Sequence, residues 1–243
     1  MSDHMKRLAA PRSWPLKRKE NVFTTKQRPG SHSVEESVPA ALMLRDILKV
    51  CDTSREAKRI VGNRDLLVDG KPVRSVKAPV GIMDVVAIPA MDLYYRVVLS
   101  DKGKIAVVPI TKDEATWKLA MIEDKTKVAG GKIQINFHDG RNIVLDKNQY
   151  KTGDVVKLAV PDQKIEEVYE LKAGASVLIF KGASVLIFKG AHAGKTAVVS
   201  EYIISKDASA NVVRFTDGSE TVKANVFVIG GESPAIKLPE ASE

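Results

Sequence analysis

The sequence is short of the residues that many chemistries require. It has one cysteine, Cys51, which excludes an internal disulfide and a cysteine-built metal site. Its four histidines, His4, His32, His138 and His192, lie far apart, and no pair has zinc-ligand spacing. No stretch approaches the run of about 18 apolar residues that crosses a membrane. The polar, basic N-terminus also lacks the apolar core of a signal peptide. These absences imply a soluble protein of a reducing cytoplasm, with no membrane partner and no cofactor.

Catalytic motifs are equally scarce. No activated nucleophile, paired-carboxylate motif or metal cluster can be assembled from local spacing. Glu166 and Glu167 are neighbours, so in a strand they face opposite sides as solvated charges. The stretch "GAHAGKT" resembles a phosphate-binding loop, but three residues separate Gly190 from Gly194 where that loop needs four. The β-branched "TAVVSEYII" follows, so no helix N-terminus is offered to an anion. Nothing here points to an enzyme or to a small-molecule substrate.

What the chain has is positive charge, unevenly placed. The net charge of the 243 residues is +8. Residues 1–32 carry Lys6, Arg7, Arg12, Lys17, Arg18, Lys19, Lys26 and Arg28 against Asp3 and Glu20, a net +6 of that total. Such a balance favours a polyanion, because lysine and arginine near phosphates release condensed counterions. Residues 1–36 have three prolines and no regular hydrophobic period, and alone such a segment is expected to be disordered. Trp14 and Phe23 argue for more than a solvated tail: they can stack on bases or anchor the arm while its cations meet phosphates. We read it as an extended arm that folds onto RNA.

From Ser37 the pattern is helical, with Leu44, Ile47, Leu48 and Cys51 on one stripe and Pro39 in the first turn, so Cys51 belongs to the core. "TSRE" is a capping box, with Thr53 as N-cap and Glu56 three residues on. On the helix it opens, Ala57, Ile60 and Val61 share one face, and Arg55, Lys58 and Arg59 share another. Three like charges on one face repel unless something anionic lies opposite. "LLVDGKPVR" then reads as a hairpin around Asp69-Gly70 that carries Lys71 and Arg74, and "GIMDVVAI" closes the unit with a strand. Beyond Tyr94 short strands predominate, with turns at "DKG" and "HDG"; only Thr111–Leu119, opened by a second T-x-x-E box, reads as helix. The expected class is α+β and multidomain: a basic extension over 1–36, a small α/β unit over 37–92, a central antiparallel barrel-like domain over 93–172, a β unit over 173–221, and a strand with a tail over 222–243.

Several segments carry a resemblance. "MKRLAAPRSWPL", "RPGSH", "LRDILK", "GIMDVVAI" and "NVFVIG", in this order, resemble the small-subunit ribosomal protein four of archaeal and eukaryotic type, over nearly the whole chain. Within it "SREAKRIVGNRDLLVDGKPVR" is similar to the S-four RNA-binding domain, and "KGAHAGKTAVV" to a KOW motif of an SH3-like barrel. The resemblance implies a non-enzymatic cytoplasmic component of the ribosome whose partners are small-subunit rRNA and neighbouring ribosomal proteins, and not a homo-oligomer. It places the S-four contact face on Arg55, Lys58, Arg59, Lys71 and Arg74, and the KOW turn on Gly190–Lys195, with Lys189, His192 and Lys195 toward RNA. His32 falls in the arm's "RPGSH", where Ser31 replaces the family's usual proline, and Ala197 stands where such a turn often ends in glycine. The acidic C-terminus suits an archaeal-like member. Two other classes remain open: an RNA-modifying enzyme targeted by its S-four domain, and a KOW-bearing transcription or translation factor.

One feature fits no family pattern. GASVLIFK at 174–181 returns unchanged at 182–189. Eight is even, so the insertion preserves the inside and outside assignment of strand residues downstream. The copies either pair as a hairpin, or one forms the barrel strand while the other loops out, the arrangement we favour; an error in the sequence is the third reading. An exposed VLIF would be an aggregation hazard unless covered.

Overall fold

A computed structural model describes residues 4–147, 149–171, 184–205, 209–230 and 234–239. The chain is mostly β with few helices. The arm enters as a two-stranded ribbon, β1 (Met5–Lys6) with β2 (Phe23–Thr24). Next, β3 (Ser37–Pro39) precedes α1 (Ala40–Leu42), which continues as a π-helical turn, Met43–Ile47, and then α2 (Ser54–Gly62). The Pro39 expected in a first helical turn instead ends β3 and serves as N-cap. Leu44 and Cys51 are buried, as their stripe requires, with Ile47 and Leu48 packed against the same core.

Six strands follow: β4 (Leu67–Val68), β5 (Lys71–Pro72), β6 (Pro79–Gly81), β7 (Val85–Ile88), β8 (Leu93–Leu99) and β9 (Ile105–Pro109). β3 pairs with β6, and the others form an antiparallel sheet in the order β5-β4-β7-β8-β9. The break expected after residue 92 therefore falls inside a sheet, because β7 pairs with β8 from Val85↔Arg96 to Ile88↔Leu93.

A second five-stranded sheet, in the order β12-β11-β10-β13-β14, is built from β10 (Trp117–Lys127), β11 (Ile133–Phe137), β12 (Asn142–Leu145), β13 (Val155–Ala159) and β14 (Ile165–Tyr169). Here the helix expected over Thr111–Leu119 is absent. Its box does close, Thr111 N–H donating to Glu114 Oε2 at 3.0 Å and Glu114 N–H to Thr111 Oγ1 at 3.3 Å, but only the 3-10 turn Glu114–Thr116 follows. From Trp117 the backbone is claimed by β13, and from Ile122 by β11, while Leu119–Ile122 is buried. Pairing and burial outweigh a capping preference worth about 1 kcal/mol.

The last sheet runs β18-β17-β16-β15-β19, from β15 (Ser184–Ile187), β16 (Thr196–Ile203), β17 (Val212–Phe215), β18 (Glu220–Val222) and β19 (Val226–Gly230). The strand assigned to the tail segment 222–243 thus belongs to the same sheet as the preceding unit. β15 comes from the second copy of the repeat; the first copy lies outside the described residues. Both edges of β15 are taken, by β16 through Ser184–Leu186 and by β19 through Ser184–Ile187. A strand with two partners has no free edge for a third; the choice between a hairpin and a looped-out copy falls on residues outside those described.

One continuous core links these parts, from Ala10 and Trp14 in the arm through Leu42–Leu44 and Val97–Leu99 to Val185–Ile187 and Val226–Ile229. A smaller core, Ala120, Ile122, Ile135, Phe137, Val156 and Leu158, lies within the second sheet. At roughly 1.5–3 kcal/mol for each large apolar side chain buried, the shared core binds the arm and sheets into one body.

Candidate RNA-binding surface

Helix α2 is set by its cap. Glu56 N–H donates to Thr53 Oγ1 at 3.3 Å, and Glu56 Oε2 accepts from the N–H groups of Asp52 and Thr53 at 3.0 and 3.4 Å. Those donors, the Asp52 N–H first, hold the Glu56 carboxyl below its usual pKa. With the start fixed, Ala57 and Val61 turn inward while Arg55, Lys58 and Arg59 are exposed. Lys71 and Arg74 are exposed as well, and none of the five makes an ion pair among the described residues. The hairpin tip behind Lys71 faces the protein: Asp69 is buried, and a Cβ added at Gly70 would touch Val160 and Pro161.

The arm divides into an outer and an inner set. Lys6, Arg12, Lys17, Lys19 and Arg28 are exposed and Lys26 is half-buried. Lys17 pairs with Glu20 at 3.0 Å. Four other candidates are spent on the protein itself. Trp14 is only 1% exposed, its Nε1–H donating to the Ser37 carbonyl at 2.7 Å, so it anchors the arm and does not present a face to a base. Arg7, 3% exposed, donates from Nε to the Lys17 carbonyl at 2.7 Å. Arg18 donates to the carbonyls of Leu8, Ala10 and Pro11 at 3.2, 2.8 and 2.7 Å. These bonds give the arm its shape without regular secondary structure, because they satisfy carbonyls that no ladder reaches.

His32, the fourth, closes a buried ionic cluster. Lys118 in β10 is fully buried, its Nζ 2.6 Å from Asp69 Oδ2, 3.0 Å from Asp84 Oδ1 and 2.6 Å from Asp139 Oδ2. Arg141 reaches Asp69 at 2.6 Å and Asp139 at 3.2 Å, and His32 Nε2 lies 3.0 Å from Asp84. Three carboxylates face two permanent cations, so the cluster is neutral only when His32 is charged. Burial disfavours the imidazolium, yet Asp84 prevails and raises the His32 pKa above its usual 6.5. Burial likewise opposes the ammonium of Lys118, but Asp84, Asp69 and Asp139 together hold it protonated far above the ordinary lysine range. Asp84 is pulled well down, against its burial, by Lys118 and His32, whereas burial and the neighbouring Asp84 push Asp69 up. Burial lowers His138, beside His32, to about 4. Gly81 makes room for the histidine: a Cβ there would sit 2.2 Å from the His32 ring, and its N–H donates to Asp84 Oδ2 at 2.8 Å. "RPGSH" and "GIMDVVAI" thus meet in space. The ion pairs tie the arm at His32 to β10, to the β4–β5 and β11–β12 turns and to the segment before β7.

At the turn Gly190–Lys195, Lys195 is exposed and His192 half-buried, and a strand, β16, follows as the sequence requires. Lys189 is also exposed but ion-pairs with Glu36 and lies 5.2 Å from the Phe188 ring centroid. Gly194, at φ +94, is pressed on the β8–β9 turn, where an added Cβ would stand 1.9 Å from the Ser100 carbonyl oxygen. One side of this turn therefore seals an internal seam. Sequence reasoning missed the cluster altogether: Lys118 gives no signal in "WKLAMIEDKTK", and its partners lie 49, 34 and 21 residues away. Among the described residues, no group of three His, Cys, Asp or Glu side chains is arranged to hold a metal, and no helix is long and apolar enough to cross a membrane.

Comparison with known proteins places the molecule in a class and then a family. Residues 1–35 match the RS4NT (NUC023) domain and residues 91–165 match Ribosomal family S4e, so the class is that of ribosomal proteins. Small ribosomal subunit protein eS4 of Methanosphaera stadtmanae is 41% identical over 238 residues, covering 97% of this chain and 95% of that protein. The eS4 of Methanocaldococcus jannaschii is 40% identical over 247 residues, covering 97% of each. The crystal structure of the 30S ribosomal protein S4e from Thermoplasma acidophilum aligns with a TM-score of 0.68 at 37% identity, covering 81% of this chain and 96% of that one. The chain belongs to the eS4 family of small ribosomal subunit proteins.

Proposed function

We propose that this chain is a structural, non-catalytic component of the small ribosomal subunit in the cytoplasm, holding small-subunit rRNA and neighbouring ribosomal proteins. The observation that carries the reading, beside family membership, is the row Arg55, Lys58 and Arg59: three exposed cations on one face of a capped helix, with no ion pair among the described residues. Such a row is repulsive by itself and becomes favourable against phosphates. Lys71 and Arg74 extend it, and Lys6, Arg12, Lys17, Lys19, Lys26, Arg28 and Lys195 supply further backbone contacts. In this reading α2 and the β4–β5 hairpin act as an S-four RNA-binding unit, and the last sheet as an SH3-like unit bearing a KOW turn. Cosedimentation tests it: the protein should travel with 30S-sized particles in low salt and leave them only as salt rises steeply. A protein that stays free of such particles in both conditions refutes the assignment. Ready release in moderate salt would favour a dissociable translation factor instead.

A further inference from the structure

We propose that the seam between the arm ribbon and helix α2 is a pocket for a single unstacked RNA base, with the Phe23 ring as its stacking platform. The inference rests on the rRNA-binding reading and adds to it the unit that is recognised. Phe23 is the aromatic of the arm that the core does not consume: Trp14 is buried, whereas Phe23 is 57% exposed. The ring of His4 lies 6.0 Å from it, tilted by 53°. Leu8, in the 3-10 turn after β1, and Val22, just before β2, are 70% and 68% exposed, and the Arg7 N–H donates to the Val22 carbonyl at 2.9 Å. Exposed apolar side chains, one of them aromatic, on a segment of net charge +6 call for a partner that is both anionic and flat-faced. A neighbouring protein offers neither by necessity, and RNA offers both.

Beside Phe23 opens a cleft of about 180 Å³ lined by His4, Phe23, Thr24, Lys26, Lys58 and Lys77. Its volume suits one planar base and not a whole nucleotide, whose sugar and phosphate would remain at the rim near the ammonium groups. Lys58 belongs both to this wall and to the exposed row of α2, so a backbone tracking that row is led to the pocket. The Thr24 hydroxyl, in the same wall, is buried without a hydrogen-bond partner among the described residues. A buried hydroxyl left unpaired is uncommon, and a small opening of this wall would let the polar edge of a base satisfy it. Aromatic platforms bind single-stranded bases through the π-face and leave the polar edge free for such selection.

The test titrates wild type, Phe23→Leu, Phe23→Trp and Lys58→Gln against an in vitro transcript of Methanosphaera stadtmanae small-subunit rRNA over a range of salt, with circular dichroism to show that each variant is folded. Phe23→Leu should weaken binding about tenfold without altering the salt slope, and Phe23→Trp should retain wild-type affinity. Lys58→Gln should instead flatten the slope by about one phosphate contact. Chemical probing should reveal one nucleotide protected by wild type and Phe23→Trp but not by Phe23→Leu. If wild type binds and Phe23→Leu binds equally well, the pocket is wrong while rRNA binding stands. Unchanged RNA affinity with failed incorporation into subunits would assign the exposed apolar side chains to a protein neighbour and also overturn the pocket. If wild type does not bind the transcript at all, the rRNA-binding reading falls as well.

Discussion

Replacing Lys118 with methionine removes one ammonium from the midst of three carboxylates at 2.6, 3.0 and 2.6 Å and leaves the side-chain volume nearly unchanged. Packing is thus preserved while charge is lost. Breaking a buried ion pair by deleting one partner costs about 3–5 kcal/mol, and here Arg141 is the one cation left to Asp69 and Asp139, and His32 the one left to Asp84, among the described residues. A penalty near the upper end, about 5 kcal/mol, is expected, lowering the melting temperature by roughly 10 °C for a chain of this size. The pH dependence separates this cause from a packing defect. With the ammonium gone, burial and mutual repulsion lift the folded-state pKa values of the carboxylates above their unfolded value of about 3.9. A raised carboxyl costs stability above its unfolded pKa, and less as the pH falls into its folded range and it takes up a proton. The gap between wild type and Lys118→Met should therefore narrow from pH 7.5 to pH 5, as followed by urea unfolding and the fluorescence of Trp14 and Trp117. A gap below about 1 kcal/mol, or one independent of pH, would refute the account of the cluster.

Trp14→Ala should cost about 3–5 kcal/mol in the same assay and open residues 1–36 to protease, since it removes both the arm's buried side chain and its bond to Ser37. The raised His32 pKa sets a sign: its contribution is complete below the unfolded value near 6.5 and is lost as pH rises through the folded pKa, so wild type should lose stability as pH rises above about 6.5 where His32→Gln does not. Replacing Arg55, Lys58 and Arg59 together with glutamine should leave the melting temperature within a few degrees but flatten the plot of log K against log salt by about two to three, which a titration of rRNA fragments would read.

The sequence was most legible where a local rule had no competitor. The Thr53 box forms as written, the turns at 69–70, 101–103 and 138–140 join paired strands, and Gly190–Lys195 leads into a strand and not a helix. At Thr111 the same local rule fails, because the residues after the box are claimed by partner strands far along the chain. The cationic faces of α2 and the hairpin were readable from i, i+3, i+4 spacing. The fates of Arg7, Trp14, Arg18 and His32 were not, since a basic or aromatic residue in an irregular segment carries no periodicity to say which way it points. Lys118 is the extreme case: it falls in the segment that reads as helix, and nothing in its neighbours marks it as buried until Asp69, Asp84 and Asp139 converge on it.

The cluster also imposes an order in time. Its members are His32, Asp69, Asp84, Lys118, Asp139 and Arg141, and synthesis runs from the N-terminus. The clasp that holds the end of the arm has no compensating cation for Asp84 beyond His32 itself until Lys118 has been made, and the full set exists only once residue 141 has left the peptidyl-transferase centre. For more than half of its translation, therefore, the nascent chain holds its most basic segment only by the local contacts of Arg7, Trp14 and Arg18, and the clasp at His32 is completed last.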